Sequence, residues 1–438
     1  MEEEYTRTEA AALTSRKVGI GEKVMLQGHI QSMRQLGQLS FLNLRDGSGQ
    51  VQLLVEGSEL MEALKIKEIL PETPVKVWGT VQAQPNPEVH LTALEILAVV
   101  SPTPVEVGKN AKIEKLSAGA LFDYRPLTLR NEKVRAIFKI EAEILKAFRE
   151  FLGQSGFTEI HSPKIVATGT EGGANLFSLD YFSRPAYLAQ SPQFYKQMLV
   201  AVFERVFEVG PVYRAEEHET TRHLNEYISL DFEMGFISGI GELIALQQEL
   251  LKHIFAHLKE HCAFELALYQ AVLPVIEEPI PQLELAEAVS ILKEKYGWQS
   301  ISSKDLDAEG EKLICRHIFE ETGMELVYIT NYPHMIRPFY AMKEEGGSGS
   351  GSFDLLFRGL EITTGGQRIH QYGELKASME ERGLETEQFT DYLMAFKHGM
   401  PPHGGLAIGL ERLTKQLLSL ASVKQAALFP RDRNRLTP

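Results

Sequence analysis

The chain has 438 residues, 44% of them hydrophobic and 24% charged, a balance typical of a soluble globular protein with two or three domains. Its net charge of −14 excludes a protein that holds nucleic acid by bulk positive charge, so such a partner must meet local patches. No run approaches the roughly 18 apolar residues of a membrane span, and the acidic start is unlike a secretory signal. We therefore expect a cytoplasmic protein without a membrane partner. Two widely separated cysteines, Cys262 and Cys315, argue against a disulfide framework or a structural zinc site.

Five short apolar runs between Lys23 and Val100 predict a small β domain. A tight turn at 46–49, reading DGSG, joins two of these runs and indicates a hairpin. Five strands in about 80 residues are typical of an oligonucleotide-binding (OB) barrel. We predict this domain over residues 1–104, and a barrel used only for packing or dimer contacts is the alternative.

The stretch 105–130 mixes proline, glycine and isolated charges, and it is predicted to be a linker and hinge. A second domain is predicted over 131–438. It begins with a helix that Asn131 caps and whose apolar period runs to Leu152, before the glycines at 153 and 156 end it. Further predictions are strands at 207–217 and 227–237, a long helix at 240–261 and a mobile loop at 344–352.

Residues 353–370, reading FDLLFRGLEITTGGQRIH, place Asp354, Arg358, Glu361 and Arg368 among apolar, strand-like neighbours. Ionised groups are rarely buried unless they are paired or bind a ligand. This stretch therefore predicts either an ion-pair network or a site for a charged substrate. For Arg358, a phosphate contact and a supporting ion pair are both open.

The segment Tyr213-Arg214-Ala215-Glu216 lies on a predicted strand, where alternate spacing puts Arg214 and Glu216 on one face. One interpretation is an ion pair across that face. The other is an arginine that binds a phosphate and a glutamate that binds a base edge, with Arg222 and His223 closing over the remaining phosphates.

The segment 404–413, reading GGLAIGLERL, predicts a glycine-rich turn from a strand into a helix, which is common by itself. Where Gly405 and Gly409 admit a flat ligand close to the backbone, Arg412 can lie over an aromatic ring and reach a phosphate. This segment together with Arg214-x-Glu216 is far more specific than either part alone.

These motifs resemble those of class II aminoacyl-tRNA synthetases, and more narrowly the aspartyl-tRNA synthetases of the short, archaeal type. The resemblance runs from LFDYRPLTLR through GFTEIHSPKI (motif 1, about 145–166), YRAEE (motif 2, about 207–234) and GLERL (motif 3, about 403–418) to the ending LFPRDRNRLTP. It implies an α+β fold, in which an anticodon-binding OB-type barrel precedes a seven-stranded antiparallel sheet flanked by helices. It also implies a homodimer formed through motif 1.

The resemblance implies ATP-dependent ligation of L-aspartate to tRNA(Asp) through an aspartyl-adenylate, with Mg²⁺ as cofactor. Charging of tRNA(Asn) as well is open. Gln31 and the loop with Pro85 and Pro87 lie at positions linked to this choice; the loop leans towards the relaxed enzymes, while Gln31 matches neither group. Competing readings are an asparaginyl- or lysyl-tRNA synthetase, a paralogue that makes an adenylate for amide synthesis without tRNA, and a non-catalytic tRNA-binding protein.

The resemblance also implies the amino-acid pocket. Lys196 and Arg368 would bind the side-chain carboxylate of aspartate, while Glu171 and Asp231 would bind its ammonium group. Two cations facing one side chain favour aspartate over neutral asparagine, because burying them without an anion is unfavourable. The residues implied for aspartate are Glu171, Gln193, Lys196, Arg214, Asp231, Thr364 and Arg368.

For ATP, the resemblance implies that Arg214 holds the α-phosphate and Glu216 the adenine amino group, with the adenine ring between Arg412 and Tyr227. Arg214 and Arg412 are expected to be catalytic. The residues implied for ATP are Arg214, Ala215, Glu216, Arg222, His223, Leu224, Tyr227, Glu361, Gly409, Leu410, Glu411 and Arg412. For Mg²⁺ they are Asp354 and Glu361, which offer hard oxygen ligands, with Thr364 lining the metal and amino-acid sites.

Overall fold

The computed structural model describes residues 5–15, 17–82, 87–108, 111–169, 175–217, 220–299, 304–344 and 346–438. The chain forms two compact units that divide between Arg135 and Ala136. Within the described residues, no helix is long and apolar enough to cross a membrane.

The N-terminal unit is built on a ring of strands. Its strands are β1 (Thr6–Arg7), β2 (Lys23–Leu36), β3 (Leu39–Arg45), β4 (Gln50–Glu56), β5 (Thr73–Gln82) and β6 (Glu88–Ile96). They pair in the order β1-β2-β3-β4-β6-β5, and β5 also pairs with β2, so that β2 to β6 close on themselves. The predicted five-stranded OB-type domain is confirmed.

Alternation along these strands sends one row of side chains into the ring, where Leu26, Leu44 and Val77 are fully buried. The predicted turn forms because the Asp46 carboxylate accepts the backbone N–H groups of Ser48 at 2.8 Å and Gly49 at 2.9 Å. The unit's short helices are α1 (Ala10–Thr14), α2 (Ser58–Ala63), α3 (Ala118–Asp123) and α4 (Arg125–Thr128).

The helix predicted after Asn131 is α5 (Glu132–Gln154). The Asn131 carboxamide oxygen accepts the N–H groups of Lys133 at 3.0 Å and Val134 at 3.4 Å, which satisfies donors that a helix leaves open at its start. The remaining helices of the chain are α6 (Gln193–Phe203), α7 (Ile240–His261), α8 (Ala263–Leu268), α9 (Leu285–Tyr296), α10 (Ala308–Thr322), α11 (Tyr372–Glu381), α12 (Thr390–Lys397) and α13 (Leu410–Leu418).

The C-terminal unit is organised around a large sheet. The strands of this unit are β7 (Thr158–Glu159), β8 (Ile165–Val166), β9 (Ser178–Tyr181), β10 (Arg184–Leu188), β11 (Arg205–Tyr213), β12 (Glu226–Gly235), β13 (Gln282–Glu284), β14 (Leu326–Thr330), β15 (Ser352–Phe357), β16 (Leu360–Arg368) and β17 (His403–Gly409). The large sheet has the order β13-β14-β15-β16-β17-β12-β11-β7, and β8, β9 and β10 form a small one.

The resemblance implied seven antiparallel strands. The described sheet instead has eight, of which the six central strands are antiparallel and the two short outer ones, β13 and β7, run parallel to their neighbours. The fold class, α+β with an antiparallel-rich sheet and flanking helices, is confirmed.

The two faces of the large sheet differ in polarity. On one face, side chains such as Phe232, Phe353 and Leu406 pack with apolar residues of α5 and α7, and all three are fully buried. Each contributes about 1.5–3 kcal/mol of burial free energy. On the other face, Asp354 pairs with Thr364, which pairs with Ala407, and Ala407 with Asp231. Opposite residues in an antiparallel pair share a face, so Asp354 of β15 and Asp231 of β12 lie on this same face of the sheet.

Candidate active site

A cavity of about 560 Å³ opens on the polar face of the large sheet. This volume fits a small-molecule site. Most of the predicted ligand-binding side chains line it, namely Gln193, Lys196, Arg214, Glu216, Arg222, His223, Leu224, Tyr227, Glu361, Thr364, Arg368, Gly409, Glu411 and Arg412. Ala215 and Leu410 do not line it, and neither do the buried Asp231 and Asp354. Glu171 lies outside the described residues.

The two predicted cations of the amino-acid pocket meet at a carboxylate that the sequence analysis missed, Glu233. Lys196 Nζ lies 3.3 Å from Glu233 Oε2 and 3.0 Å from Asp231 Oδ1. Arg368 Nε lies 3.0 Å from Glu233 Oε1. All four side chains are buried, so the pocket floor is an ion-pair network with balanced charge.

This network fixes the ionisation of Glu233. Burial acts to raise the pKa of Glu233, but Arg368 and Lys196 outweigh it and hold that pKa below its usual value. Burial lowers the pKa of the neighbouring His403 to about 4, which leaves its imidazole neutral. A second buried contact, at 3.0 Å, joins His403 Nε2 to the Gln197 side chain.

Gly405 makes room for the network. A Cβ atom built at Gly405 would lie 2.3 Å from Glu233 Oε2 and 2.1 Å from the Phe232 carbonyl oxygen. These distances are far inside van der Waals contact, so the Glu233 carboxylate can lie over the strand only because this residue lacks a side chain. We had expected Gly405 to admit a flat ligand, and it admits a carboxylate of the protein instead.

Strand β11 ends at Tyr213, so Arg214 and Glu216 lie in the segment that follows it and not on the predicted strand. Asn225, another residue that the sequence analysis missed, holds this segment. The Asn225 amide donates to the carbonyl oxygens of Arg214 at 2.7 Å and Glu216 at 3.1 Å. The Arg214 guanidinium lies 6.0 Å from the centre of the Tyr227 ring, and His223 lies 3.6 Å from Glu216. Motif 2 thus brings an arginine, an acid and an aromatic face together at one end of the cavity.

Glu361 and Thr364 lie on the same face although they are three positions apart. A β-bulge explains this, because β15 pairs Leu355 with Thr363 and Leu356 with Glu361, which leaves Ile362 as an extra residue. The Thr364 hydroxyl donates to Glu361 Oε1 at 2.8 Å. A regular strand would have turned one of these two side chains away from the cavity.

The third motif supplies Arg412, whose guanidinium lies 3.4 Å from Glu361 Oε1 and donates to the Glu361 carbonyl oxygen at 3.0 Å. Glu411 has a different role from the one implied. Its carboxylate accepts the Ile228 N–H at 3.0 Å, and burial raises its pKa to about 8. Glu411 therefore fixes the strand that carries Tyr227.

Asp354 is paired in this structure. Arg337, which the sequence analysis missed, donates to Asp354 Oδ2 at 2.6 Å and stacks 3.6 Å from the Tyr332 ring centre. Burial and the nearby Glu361 carboxylate raise the pKa of Asp354, and Arg337 opposes them. The other carboxylate oxygen, Oδ1, is buried without a hydrogen-bond partner among the residues that the structure describes.

Comparison with known proteins gives the family. A model described as "tRNA synthetases class II (D, K and N)" matches residues 118–433, and one described as "OB-fold nucleic acid binding domain" matches residues 24–99. The chain belongs to the class II aminoacyl-tRNA synthetases. The resemblance inferred from the three motifs is thus confirmed.

Individual relatives match this synthetase over nearly its whole length. It is 47% identical to an aspartate–tRNA(Asp/Asn) ligase of Thermus thermophilus, with 96% of this chain and 98% of the relative covered. It is 40% identical to an aspartate–tRNA(Asp) ligase of Pyrococcus horikoshii, with 95% and 97% covered. A solved asparaginyl-tRNA synthetase of Pyrococcus horikoshii, complexed with asparaginyl-adenylate, superposes with a TM-score of 0.91 at 31% identity over 99% of this chain and 100% of that chain.

Arg358 lies outside the lining of the synthetase's cavity. Its Nε lies 2.6 Å from Glu325 Oε1, and its other nitrogens donate to the carbonyl oxygens of Gln416 at 3.0 Å and Val272 at 2.8 Å. Of the two open interpretations, the supporting ion pair is therefore the one that the structure favours.

Gln31, which the resemblance links to the choice of tRNA, lies in the synthetase's N-terminal unit. Gln31 occupies a bulge of β2, where Ile30 and Ser32 pair with consecutive residues of β3. Its side chain is only 4% exposed, and neither amide atom has a hydrogen-bond partner within the described ranges. Pro87 is described, whereas Pro85 lies outside the described residues. Gln31 does not present its amide at the surface, so a direct contact from it to tRNA is not part of this arrangement.

Proposed function

We propose that this synthetase ligates L-aspartate to tRNA in two steps. First, an α-carboxylate oxygen of aspartate attacks the α-phosphorus of ATP, the bond to the bridging oxygen breaks and pyrophosphate leaves. Then a hydroxyl of the terminal tRNA ribose loses its proton and attacks the carbonyl carbon of the aspartyl-adenylate, and AMP leaves. The chain needs no covalent intermediate of its own, so orientation and charge stabilisation supply the catalysis.

The observation that supports aspartate as the amino-acid substrate is the charge balance of the pocket floor. Lys196 and Arg368 offset Asp231 and Glu233, so these four described residues have no net charge. Aspartate brings an ammonium group and a side-chain carboxylate, which also balance, and its α-carboxylate faces Arg214. Asparagine would leave one buried positive charge uncompensated, which is unfavourable in a dry site.

Glu233 alters the charge balance that the sequence predicted for this pocket. We had expected two cations without an anion between them, whereas Glu233 already lies between them. Gln193 adds a polar contact for the substrate, because its buried amide nitrogen has no hydrogen-bond partner in the described part of the chain and the residue lines the cavity. The relatives named aspartate–tRNA ligases support the same substrate.

The residues proposed to bind ATP lie at the end of the cavity that Tyr227 lines. Arg214 would hold the α-phosphate and the attacking carboxylate, and its position beside Tyr227 places it next to an aromatic face for adenine. Arg412 would cover the other face of the ring, and Glu216 would accept from the adenine amino group. Each of these side chains lines the cavity, which supports the assignment.

The residues at the bulge fit Mg²⁺. Among the described residues, no three His, Cys, Asp or Glu side chains are grouped to hold a metal by themselves. This agrees with Mg²⁺ chemistry, because the ion is usually held by one or two carboxylates together with substrate phosphates. Glu361 and the unpartnered Oδ1 of Asp354 would hold it, with Thr364 beside them. The bound ion would neutralise charge on the phosphates of ATP.

The test of the first step is ATP–pyrophosphate exchange, measured in parallel with L-aspartate, L-asparagine and L-lysine. We expect exchange with aspartate alone. Exchange with asparagine alone would refute the proposal and establish the second candidate, an asparaginyl-tRNA synthetase. The likeness to the adenylate-bound Pyrococcus structure is the reason for considering this candidate. Exchange without any tRNA aminoacylation would instead indicate an adenylate-forming amide synthetase.

The tRNA partner is tested separately, by aminoacylation of purified tRNA(Asp) and tRNA(Asn) with aspartate. The relatives carry both kinds of name, and the Pro-Asn-Pro loop favours the relaxed kind, so we propose that both tRNAs are charged. Charging of tRNA(Asp) alone would refute the proposed relaxed specificity but would still agree with the proposed aspartate ligase activity. A cytoplasmic homodimer formed through motif 1 is part of the proposal, and elution as a monomer at working concentration would count against the dimer.

A further inference from the structure

We propose that Glu311, on α10, is a positioning residue for ATP. Its carboxylate binds one nitrogen of the Arg222 guanidinium and also accepts the backbone N–H of Glu361. It thereby holds the arginine in a fixed position relative to Glu361, the proposed Mg²⁺ ligand, where the arginine can contact the terminal phosphates. The inference rests on the proposed function, in which Arg222 and Glu361 bind the phosphates and Mg²⁺.

The contacts of Glu311 converge on both groups. Arg222 Nη2 lies 2.5 and 2.6 Å from the two carboxylate oxygens, and the Glu361 N–H donates to Oε2 at 2.8 Å. The Glu311 side chain is only 8% exposed, and that of Arg222 is 19% exposed. One buried carboxylate therefore bridges a residue of the motif 2 loop and the residue that begins the bulge.

Arg222 keeps binding capacity in this arrangement. A guanidinium has five N–H donors, and Glu311 occupies a single nitrogen. The Nε atom of Arg222 has no hydrogen-bond partner among the described residues, and the side chain lines the cavity. Glu311 therefore orients the arginine without saturating it, which is what a prearranged phosphate ligand requires.

The helix that carries Glu311 is fixed against the hairpin of β15 and β16. A Cβ built at Gly359, in the turn of that hairpin, would lie 2.9 Å from Lys312 Cγ and 3.0 Å from Lys312 Cα. At the start of α10, Asp307 caps the helix by accepting the Gly310 N–H at 2.8 Å and also accepts the Trp298 indole N–H at 3.1 Å. Because Glu311 lies in the first turn of α10, its distance from Glu361 is set by these contacts.

The experiment is calorimetric titration with Mg·ATP of the full chain, the Glu311→Gln and Arg222→Gln variants and their double variant. Glu311→Gln keeps the size of the side chain but removes the charge that holds Arg222. In metal sites, loss of a residue that orients a ligand weakens binding about 10- to 100-fold, and the orientation of Arg222 by Glu311 is of the same kind. We expect a loss of that size for Glu311→Gln and no further loss when it is added to Arg222→Gln.

The matched control is Glu320→Gln on the same helix, where Glu320 pairs with Arg316 at 2.7 Å on the exposed surface. It should bind Mg·ATP as the unaltered chain does. Unaltered binding by Glu311→Gln would overturn the proposal, and so would a full second loss in the double variant, since Glu311 would then act apart from Arg222. Because ATP binding is read without an amino acid, absence of aspartate-dependent exchange would refute the proposed function and leave this result standing.

Discussion

Replacing Arg368 by leucine tests the pocket most directly. The change removes one of the two cations that hold Glu233, whose side chain is fully buried, and it removes the proposed partner of the substrate side chain. Removing one partner of a buried, hydrogen-bonded charge pair across a binding interface costs about 2–5 kcal/mol. At about 1.4 kcal/mol for each factor of ten, kcat/KM for aspartate in ATP–pyrophosphate exchange should fall roughly 30- to 4,000-fold.

The chain provides a matched control in Arg358, which belongs to the same β15–β16 hairpin and pairs with Glu325 away from the cavity. Arg358→Leu makes the same chemical change and should lower the unfolding temperature while leaving kcat/KM near that of the unaltered chain. If Arg368→Leu and Arg358→Leu have kcat/KM values within ten-fold of each other, Arg368 does not serve the substrate and the pocket assignment is wrong.

Glu361→Gln should steeply raise the Mg²⁺ concentration needed for half-maximal exchange, because a carboxylate ligand becomes a neutral amide. If that concentration is unchanged, the ion is not bound by Glu361. Tyr227→Phe should retain the KM for ATP while Tyr227→Leu raises it about ten-fold, since the aromatic face supplies the contact, and equal values for both would refute stacking. A further prediction concerns the pH dependence of folding stability. His403, ordinarily near 6.5, has its pKa lowered to about 4 by burial, so between these pH values the unfolded chain binds a proton that the folded chain does not. Stability is therefore full above about pH 6.5 and falls by ~1.4 kcal/mol for each pH unit below it, approaching a loss of ~3 kcal/mol near pH 4. Urea unfolding at pH 7 and pH 5 should show this dependence weakened in His403→Gln, and an identical dependence would contradict it.

Local patterns predicted the framework well. The alternating strands of the OB-type domain, the turn at Asp46 and the helix capped by Asn131 all follow from residues close together in the chain, where the physical cause is local. The loop expected at 344–352 was wrong at its end, because Ser350 and Ser352 are buried and bonded to each other at 2.6 Å. Small residues that suggest a linker in a sequence also permit close packing.

The parts of the site that were missed have two different explanations. Glu233 could have been found, since it alternates with Asp231 on a predicted strand and must share its face. Glu311 could not, because its partners Arg222 and Glu361 lie far from it in the chain and α10 shows no unusual pattern around it. The bulge at Ile362 was equally hidden, since it is defined by the pairing of two strands.

Gly405 limits how this pocket can be redesigned. A methyl group at that position would displace the Glu233 carboxylate. Lys196 and Arg368 would then lose the carboxylate that positions them, even if no residue in contact with the substrate were changed. Altered amino-acid preference in this scaffold must therefore come from other residues that line the cavity, because Gly405 leaves no room for an added atom. A library that randomises the pocket should keep Gly405 constant.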